Sequence, residues 1–204
     1  MDFKLMLSIG LIILSYLYGS IPFALVIGKL FYKTDIRTQG SGNLGGTNAG
    51  RVLGAKAGVL VIVLDASKTI ISMLLSLYVS KSAGISPDII YLSALSCIIG
   101  HCYPIFAGFR GGKAVSVAIG YALTVNLWAG LFGLLVFFIV LKLTKYVSLS
   151  SILGTAGVLI ISPFLGFSTI GIATNAIILA IMTYKHKDNI QRLKEGTERK
   201  ITWM

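Results

Sequence analysis

Residues 5–31 read LMLSIGLIILSYLYGSIPFALVIGKLF, an apolar run with a single charged side chain, Lys29. A bilayer core of ~30 Å is crossed by about 20 apolar helical residues, so the run predicts a membrane span rather than the core helix of a soluble domain. It exceeds the apolar region of a secretory signal, and no A-x-A cleavage pattern follows it, so the segment is read as retained. Six more apolar runs follow, at about 54–80, 88–108, 112–127, 128–143, 147–164 and 167–184.

Composition agrees with that reading. Of 204 residues, 55% are hydrophobic and only 12% charged, with a mean hydropathy of +0.87. Soluble domains carry about 25% charged residues, so an ordinary water-soluble globule is excluded, and a disordered chain more firmly still. The predicted fold is all-α: a polytopic membrane helix bundle of seven transmembrane helices, forming a single domain over residues 1–204. Four of the runs are short. The fourth and fifth meet near Asn126 without a charged break, and the sixth and seventh are parted only by Ser162-Pro163 and Gly166-Phe167-Ser168. Five spans with two merged or re-entrant pairs is the alternative. Cys97 and Cys102 have neither C-x-x-C nor metal spacing and read as small buried apolar residues. No internal repeat is apparent.

The net charge of +11 comes from 18 Lys+Arg against 7 Asp+Glu. In the seven-helix arrangement 15 of those 18 fall on one side: Lys29, Lys33, Arg37, Arg51, Lys56, Arg110, Lys113, Lys142, Lys145, Lys185, Lys187, Arg192, Lys194, Arg199 and Lys200. Lys4 and Lys81 fall on the other, and Lys68 lies within the second span. The positive-inside rule then places the N-terminus outside and the C-terminus in the cytoplasm. Basic excess in such a chain points to anionic head groups or substrates rather than nucleic acid.

Three segments on the basic side carry candidate chemistry. Gly40-Ser41-Gly42-Asn43-Leu44-Gly45-Gly46-Thr47-Asn48-Ala49-Gly50-Arg51 is glycine-rich, so backbone N–H groups can approach an anion while Ser41, Thr47 and Asn48 add side-chain donors. Its G-x-G-x-x-G match lacks a βαβ setting, and Gly46 stands where a Walker A lysine would be; a plain flexible loop is the bland alternative. In the second segment, Gly100–Lys113, Gly111 and Gly112 precede Lys113 at the expected start of a helix. Free N–H groups and an ammonium would there face one anion, unless Lys113 is only a snorkelling interfacial anchor. His101 reads as a buried, hydrogen-bonded histidine and makes a poor metal pair with Cys102. In the third, His186–Lys200, His186, Asn189 and Arg192 share a helix face, although an amphipathic tail on anionic lipid would look similar. Ser151 could donate to an anion at a helix N-terminus or merely cap it. Asp65 and Lys68, three apart inside a span, are a functional candidate because an intramembrane ionisable pair is expensive, with mutual neutralisation as a structural clasp the plainer reading.

These three segments, in this order and over the whole chain, resemble the bacterial acyl-phosphate:glycerol-3-phosphate acyltransferases (PlsY). The resemblance implies a seven-helix bundle in the bacterial cytoplasmic (inner) membrane, multi-pass, with an active site facing the cytoplasm. It also implies transfer of a fatty acyl chain from acyl phosphate to the 1-hydroxyl of glycerol 3-phosphate, giving lysophosphatidic acid and phosphate. Carried over, Ser41, Asn43, Thr47 and Asn48 look like a phosphate-binding loop with Arg51 as charge partner. Lys113 with Gly111-Gly112 looks like the electrophilic group near the acyl phosphate. His186 and Asn189 resemble catalytic residues on the glycerol 3-phosphate side, and Ser151 a serine of that pocket. Gly46 replaces a usual alanine, Arg110 a lysine, Val117 a threonine and Thr69 a glycine; no presumed catalytic group is lost.

The expected partners are therefore acyl phosphate, glycerol 3-phosphate and membrane lipid, with no nucleic acid, no cofactor and no metal, because the seven acids are dispersed. The acyltransferase pattern H-x-x-x-x-D is absent, since Phe106 stands five residues after His101 and Gln191 five after His186; this favours acyl phosphate over acyl-CoA. Two rivals use the same features: a transporter of phosphorylated metabolites, which should carry polar groups at mid-bilayer, and a lipid-recruiting scaffold.

Overall fold

A computed structural model describes residues 2–201, and every described element is helical. The chain forms two compact units, the first ending at Tyr121 and the second beginning at Ala122.

The first unit opens with α1 (Phe3–Gly19) and α2 (Phe23–Tyr32). The single run seen in the sequence is thus two helices, because Pro22 has no N–H to continue the ladder. Next come a 3-10 turn (Ile36–Thr38), α3 (Gly46–Leu53), α4 (Ala55–Ala83) and α5 (Ile89–Cys102), then a second 3-10 turn at Ile105–Ala107 and α6 (Val115–Val125), which runs past Tyr121 into the second unit. Small residues bring α1 and α5 close: a Cβ on Gly19 would meet the Cys97 backbone, and one on Gly100 the Tyr16 carbonyl. Ser96 Oγ donates to Ile12 O at 2.8 Å and Tyr16 Oη to Tyr103 O at 2.9 Å across the same pair. Beneath the glycine-rich loop lies a core of Ala24, Leu25, Ile27, Ile36, Leu44, Ala49, Val61 and Ala107.

In the second unit, α7 (Leu127–Thr144) and α8 (Val147–Ile161) pack through glycines, a Cβ on Gly154 lying 2.9 Å from Gly133 O. A 3-10 turn, Ser162–Leu165, leads to α9 (Thr169–Lys185) and α10 (Lys187–Lys194). Asn126 starts α7 firmly, its Oδ1 accepting from the N–H groups of Trp128 and Ala129.

By length and composition five segments can cross a membrane: Phe3–Tyr32, Ala55–Ala83, Ile89–Ala107, Leu127–Thr144 and Val147–Leu165. Val115–Val125 and Thr169–Lys185 are apolar but shorter. Exposed Ile13 and Leu14, Val59, Val63 and Leu74, and Leu135, Phe138 and Ile139 give α1, α4 and α7 the apolar outer faces of lipid-contacting helices. Cys97 and Cys102 are buried free thiols.

Candidate active site

In the first unit the site is built on the loop before α3. Asp35 begins it: its Oδ1 accepts from the Arg37 N–H at 3.0 Å and from Nε at 2.9 Å, and Arg37 Nη2 reaches Oδ2 at 2.6 Å. That guanidinium holds the Asp35 carboxyl far below the usual carboxylate range, and the carboxylate raises the Arg37 pKa in turn. The chain then reverses through Gly40 and Gly42 at φ 63° and 67°, a left-handed backbone that a side chain would strain.

Asn48, only 2% exposed, closes the loop from within. Its Oδ1 accepts from the Ser41 N–H at 2.8 Å, while Nδ2 donates to Ile36 O and Gln39 O, each at 3.2 Å. The expected phosphate donor is thus spent on the loop's own backbone. Asn43 is similar: Oδ1 accepts from Gly45 N–H at 3.0 Å and Nδ2 donates to Gly111 O at 3.3 Å. Exposed side chains remain at Ser41, Thr47 and Arg51, and Thr47 and Arg51, four apart on α3, share a face. The other face of α3 is glycine. A Cβ on Gly58 would lie 2.6 Å from the Gly50 Cα, and one on Gly46 would meet the Ile62 side chain, which fills the space of the absent methyl.

The Asn43–Gly111 bond brings the second segment to this loop. Here the structure corrects the sequence reading, because α6 begins at Val115 and not at Lys113. Gly108, Phe109 and Ala114 all have positive φ, so Lys113 sits half-buried in a wound turn. The Gly112 N–H is not free for an anion; it donates to His101 O at 3.0 Å. Both glycines are required by His101, since a Cβ on Gly112 would overlap its Nε2 and one on Gly111 its carbonyl oxygen. Asp65, Lys68 and His101 form a buried polar group nearby, with Lys68 Nζ 2.7 Å and His101 Nδ1 3.6 Å from the same Asp65 oxygen.

The second unit holds a different cluster. His186 joins α9 to α10: its N–H donates to Met182 O at 3.0 Å, and its Nδ1 lies 2.8 Å from the same carbonyl. A carbonyl only accepts, so Nδ1 carries a proton. Asn189 Nδ2 and Ser148 Oγ donate to Glu198 Oε1 at 2.6 and 2.8 Å, and Arg192 Nε donates to Oε2 at 2.8 Å. Burial pushes the Glu198 carboxyl up, but the bonds from Asn189, Ser148 and Arg192 outweigh it and hold the group below its usual value. Sequence reasoning missed Glu198, whose only signal was one acid among Arg192, Lys194, Arg199 and Lys200. Ser151 does not present its proton to an anion; its Oγ donates to Val147 O at 2.8 Å, within its own helix. No group of three or more His, Cys, Asp or Glu side chains is placed to hold a metal ion among the described residues.

The model of the family described as glycerol-3-phosphate acyltransferase matches residues 9–196. A protein named glycerol-3-phosphate acyltransferase from Listeria monocytogenes serovar 1/2a is 46% identical over 201 residues, covering 97% of this chain and all of that protein. One named glycerol-3-phosphate acyltransferase 2 from Bacillus anthracis is 47% identical over 195 residues, covering 96% of this chain and all of its own. Among solved structures, the glycerol 3-phosphate form of PlsY, an integral membrane glycerol 3-phosphate acyltransferase, superposes with a TM-score of 0.88 at 38% identity, covering 96% of each chain. Its lysophosphatidic acid form gives 0.86 at the same identity.

Proposed function

The chain belongs to the glycerol-3-phosphate acyltransferase family, and from that premise we infer how its residues divide the work. It is a membrane acyltransferase that acylates glycerol 3-phosphate to lysophosphatidic acid. The acyl donor we assign is acyl phosphate.

The observation that carries the assignment is the hydrogen bond from Asn43 to Gly111, which ties the Ser41 loop, leading into α3 with Thr47 and Arg51, to the turn bearing Lys113. Two cationic side chains on one tied pair of loops suit a phosphate leaving group, which needs charge stabilisation more than protonation. In the step, the glycerol hydroxyl oxygen bonds to the acyl carbon, the bond from that carbon to the phosphate oxygen breaks, and the hydroxyl proton ends on the departing phosphate. Lys113 and Arg51 stabilise the charge; Ser41 and Thr47 orient the phosphate; Asn43 and Asn48 hold the loop. His186 and Asn189 are assigned to the glycerol 3-phosphate side, on the family resemblance, with Ser151 lining that region and Glu198 orienting Asn189 and Arg192.

We place the protein in the bacterial cytoplasmic membrane with seven spans, the two shorter apolar helices included, the N-terminus outside and the active site facing the cytoplasm. The division of basic residues supports this arrangement, as do bonds between the ends it groups together: Lys4 Nζ to Gly84 O at 3.0 Å in the first unit, and Ile201 N–H to Lys145 O at 3.0 Å in the second.

Purified protein given glycerol 3-phosphate with either acyl phosphate or acyl-CoA tests the donor. Release of phosphate with the first and no ester with the second is the expected result; the reverse overturns the assignment. His186→Ala should retain most of its turnover at saturating substrate if the phosphate accepts the proton, and a loss confined to kcat would instead make His186 the base.

A further inference from the structure

Asp65 is 1% exposed within an apolar span. A buried Asp–Lys pair there contributes little net stability, because desolvating both charges offsets their attraction. Its contacts show what it holds instead. Lys68 faces α1 and α2: its Nζ donates to Gly19 O at 3.3 Å, one of the last carbonyls of α1, and lies 4.8 Å from the centre of the Phe23 ring. A cation at that helix C-terminus satisfies a carbonyl left over where Pro22 breaks the ladder. Asp65 faces the other way as well, with its Oδ1 3.6 Å from His101 Nδ1. Beyond the imidazole, its Nε2 edge is the surface that a Cβ on Gly112 would strike, and the His101 carbonyl receives the Gly112 N–H.

We propose that Asp65, anchored by Lys68, orients His101 as the floor on which the Gly111–Gly112–Lys113 turn is shaped, so that this buried pair is a positioning device for the phosphate-binding turn. His101 acts through Gly112 and touches no substrate. The proposal rests on the reading of that turn as a phosphate site.

Gly112 has no positive φ, so alanine is allowed there by the backbone and excluded only by the His101 ring. That makes the contact testable as a coupling. Wild type, Gly112→Ala, His101→Ala and the double variant are compared by kcat/KM for acyl phosphate, measured as phosphate release, and, separately, by calorimetric affinity for inorganic phosphate. Gly112→Ala should lower both parameters about tenfold or more in the wild-type background and much less in His101→Ala, because the space is then open. Equal factors in the two backgrounds overturn the proposal, since a merely destabilising change would not couple. Where His101→Ala does not fold, His101→Asn, which keeps the side facing Asp65 and gives up the Nε2 edge, is the second background. The paired replacement Asp65→Leu with Lys68→Met removes both charges together and should leave the melting temperature nearly unchanged while kcat/KM and affinity fall. Wild-type values in that variant would reduce the pair to a clasp and defeat the idea. A wild type that binds inorganic phosphate but releases none from acyl phosphate breaks the donor assignment alone; the phosphate affinities of the same proteins still decide this proposal.

Discussion

The two polar clusters use the same kinds of side chain in opposite ways. In the first unit, the amides of Asn43 and Asn48 are consumed by backbone groups, and the cation Arg51 is left exposed. In the second, a single carboxylate, Glu198, collects an amide, a hydroxyl and a guanidinium. Where an anion is to be met, Arg51 is left exposed while the neutral amides of Asn43 and Asn48 shape the loop in front of it. Where a carboxylate is the hub, the positive charge is already matched, and orientation rather than attraction is what remains to offer.

The contrast predicts a ranking of effects. Lys113→Ala should fall furthest, by about 10²–10³ in kcat/KM measured as phosphate release, as for loss of a charge-stabilising group; a loss below tenfold would remove Lys113 from the centre. Asn48→Asp should come next. It replaces the donor to Ile36 O and Gln39 O with a carboxylate facing two carbonyls, costing about 1–3 kcal/mol in thermal stability along with activity, whereas exposed Thr47→Ala should leave the melting temperature alone. If Thr47→Ala destabilises as much, the division into shaping and contacting residues fails.

Glu198 gives a pH signature. Its carboxyl is held below the usual value in the folded chain, so its stabilising contribution is complete above the ordinary glutamate pKa and is lost as the pH falls through the lowered one. Melting curves of the wild type should therefore decline in that acid range, and Glu198→Gln should decline less steeply; parallel curves would remove Glu198 as the hub. Arg37→Ala should do least. Its partner Asp35 is at the surface, where salt screens the pair, and kcat/KM at 0.15 M salt should stay at the wild-type value.

The helices were legible because each apolar run in the sequence is long enough to need lipid or protein around it, and the runs match the seven apolar helical segments within a few residues. What escaped has physical reasons. The break at Pro22 hides inside a run whose hydropathy never dips. Helix α3 reads as loop because Gly46 and Gly50 are poor helix formers, yet those same glycines let it lie backbone-close against Gly58. Lys113 was expected at a helix start, but the positive φ of Ala114 delays the helix to Val115. Glu198 could not be foreseen because its three donors come from residues 148, 189 and 192, a convergence that only folding produces. Which side chains turn inward, as Asn48 does, was equally invisible, since an asparagine in a glycine-rich loop looks alike whether it faces a ligand or its own backbone.

The near-contact of Gly50 with Gly58 has a mechanical consequence. With only Gly54 between α3 and α4, and backbone against backbone, the loop that would hold phosphate is riveted to a 29-residue span. Where Gly50 meets Gly58 no side chain separates the two backbones. Stretching or thinning the bilayer tilts a long span to keep its apolar length covered, and α3 has to travel with it. Membrane thickness thereby becomes a variable of the chemistry, and an assay series in vesicles of increasing lipid chain length would read it out.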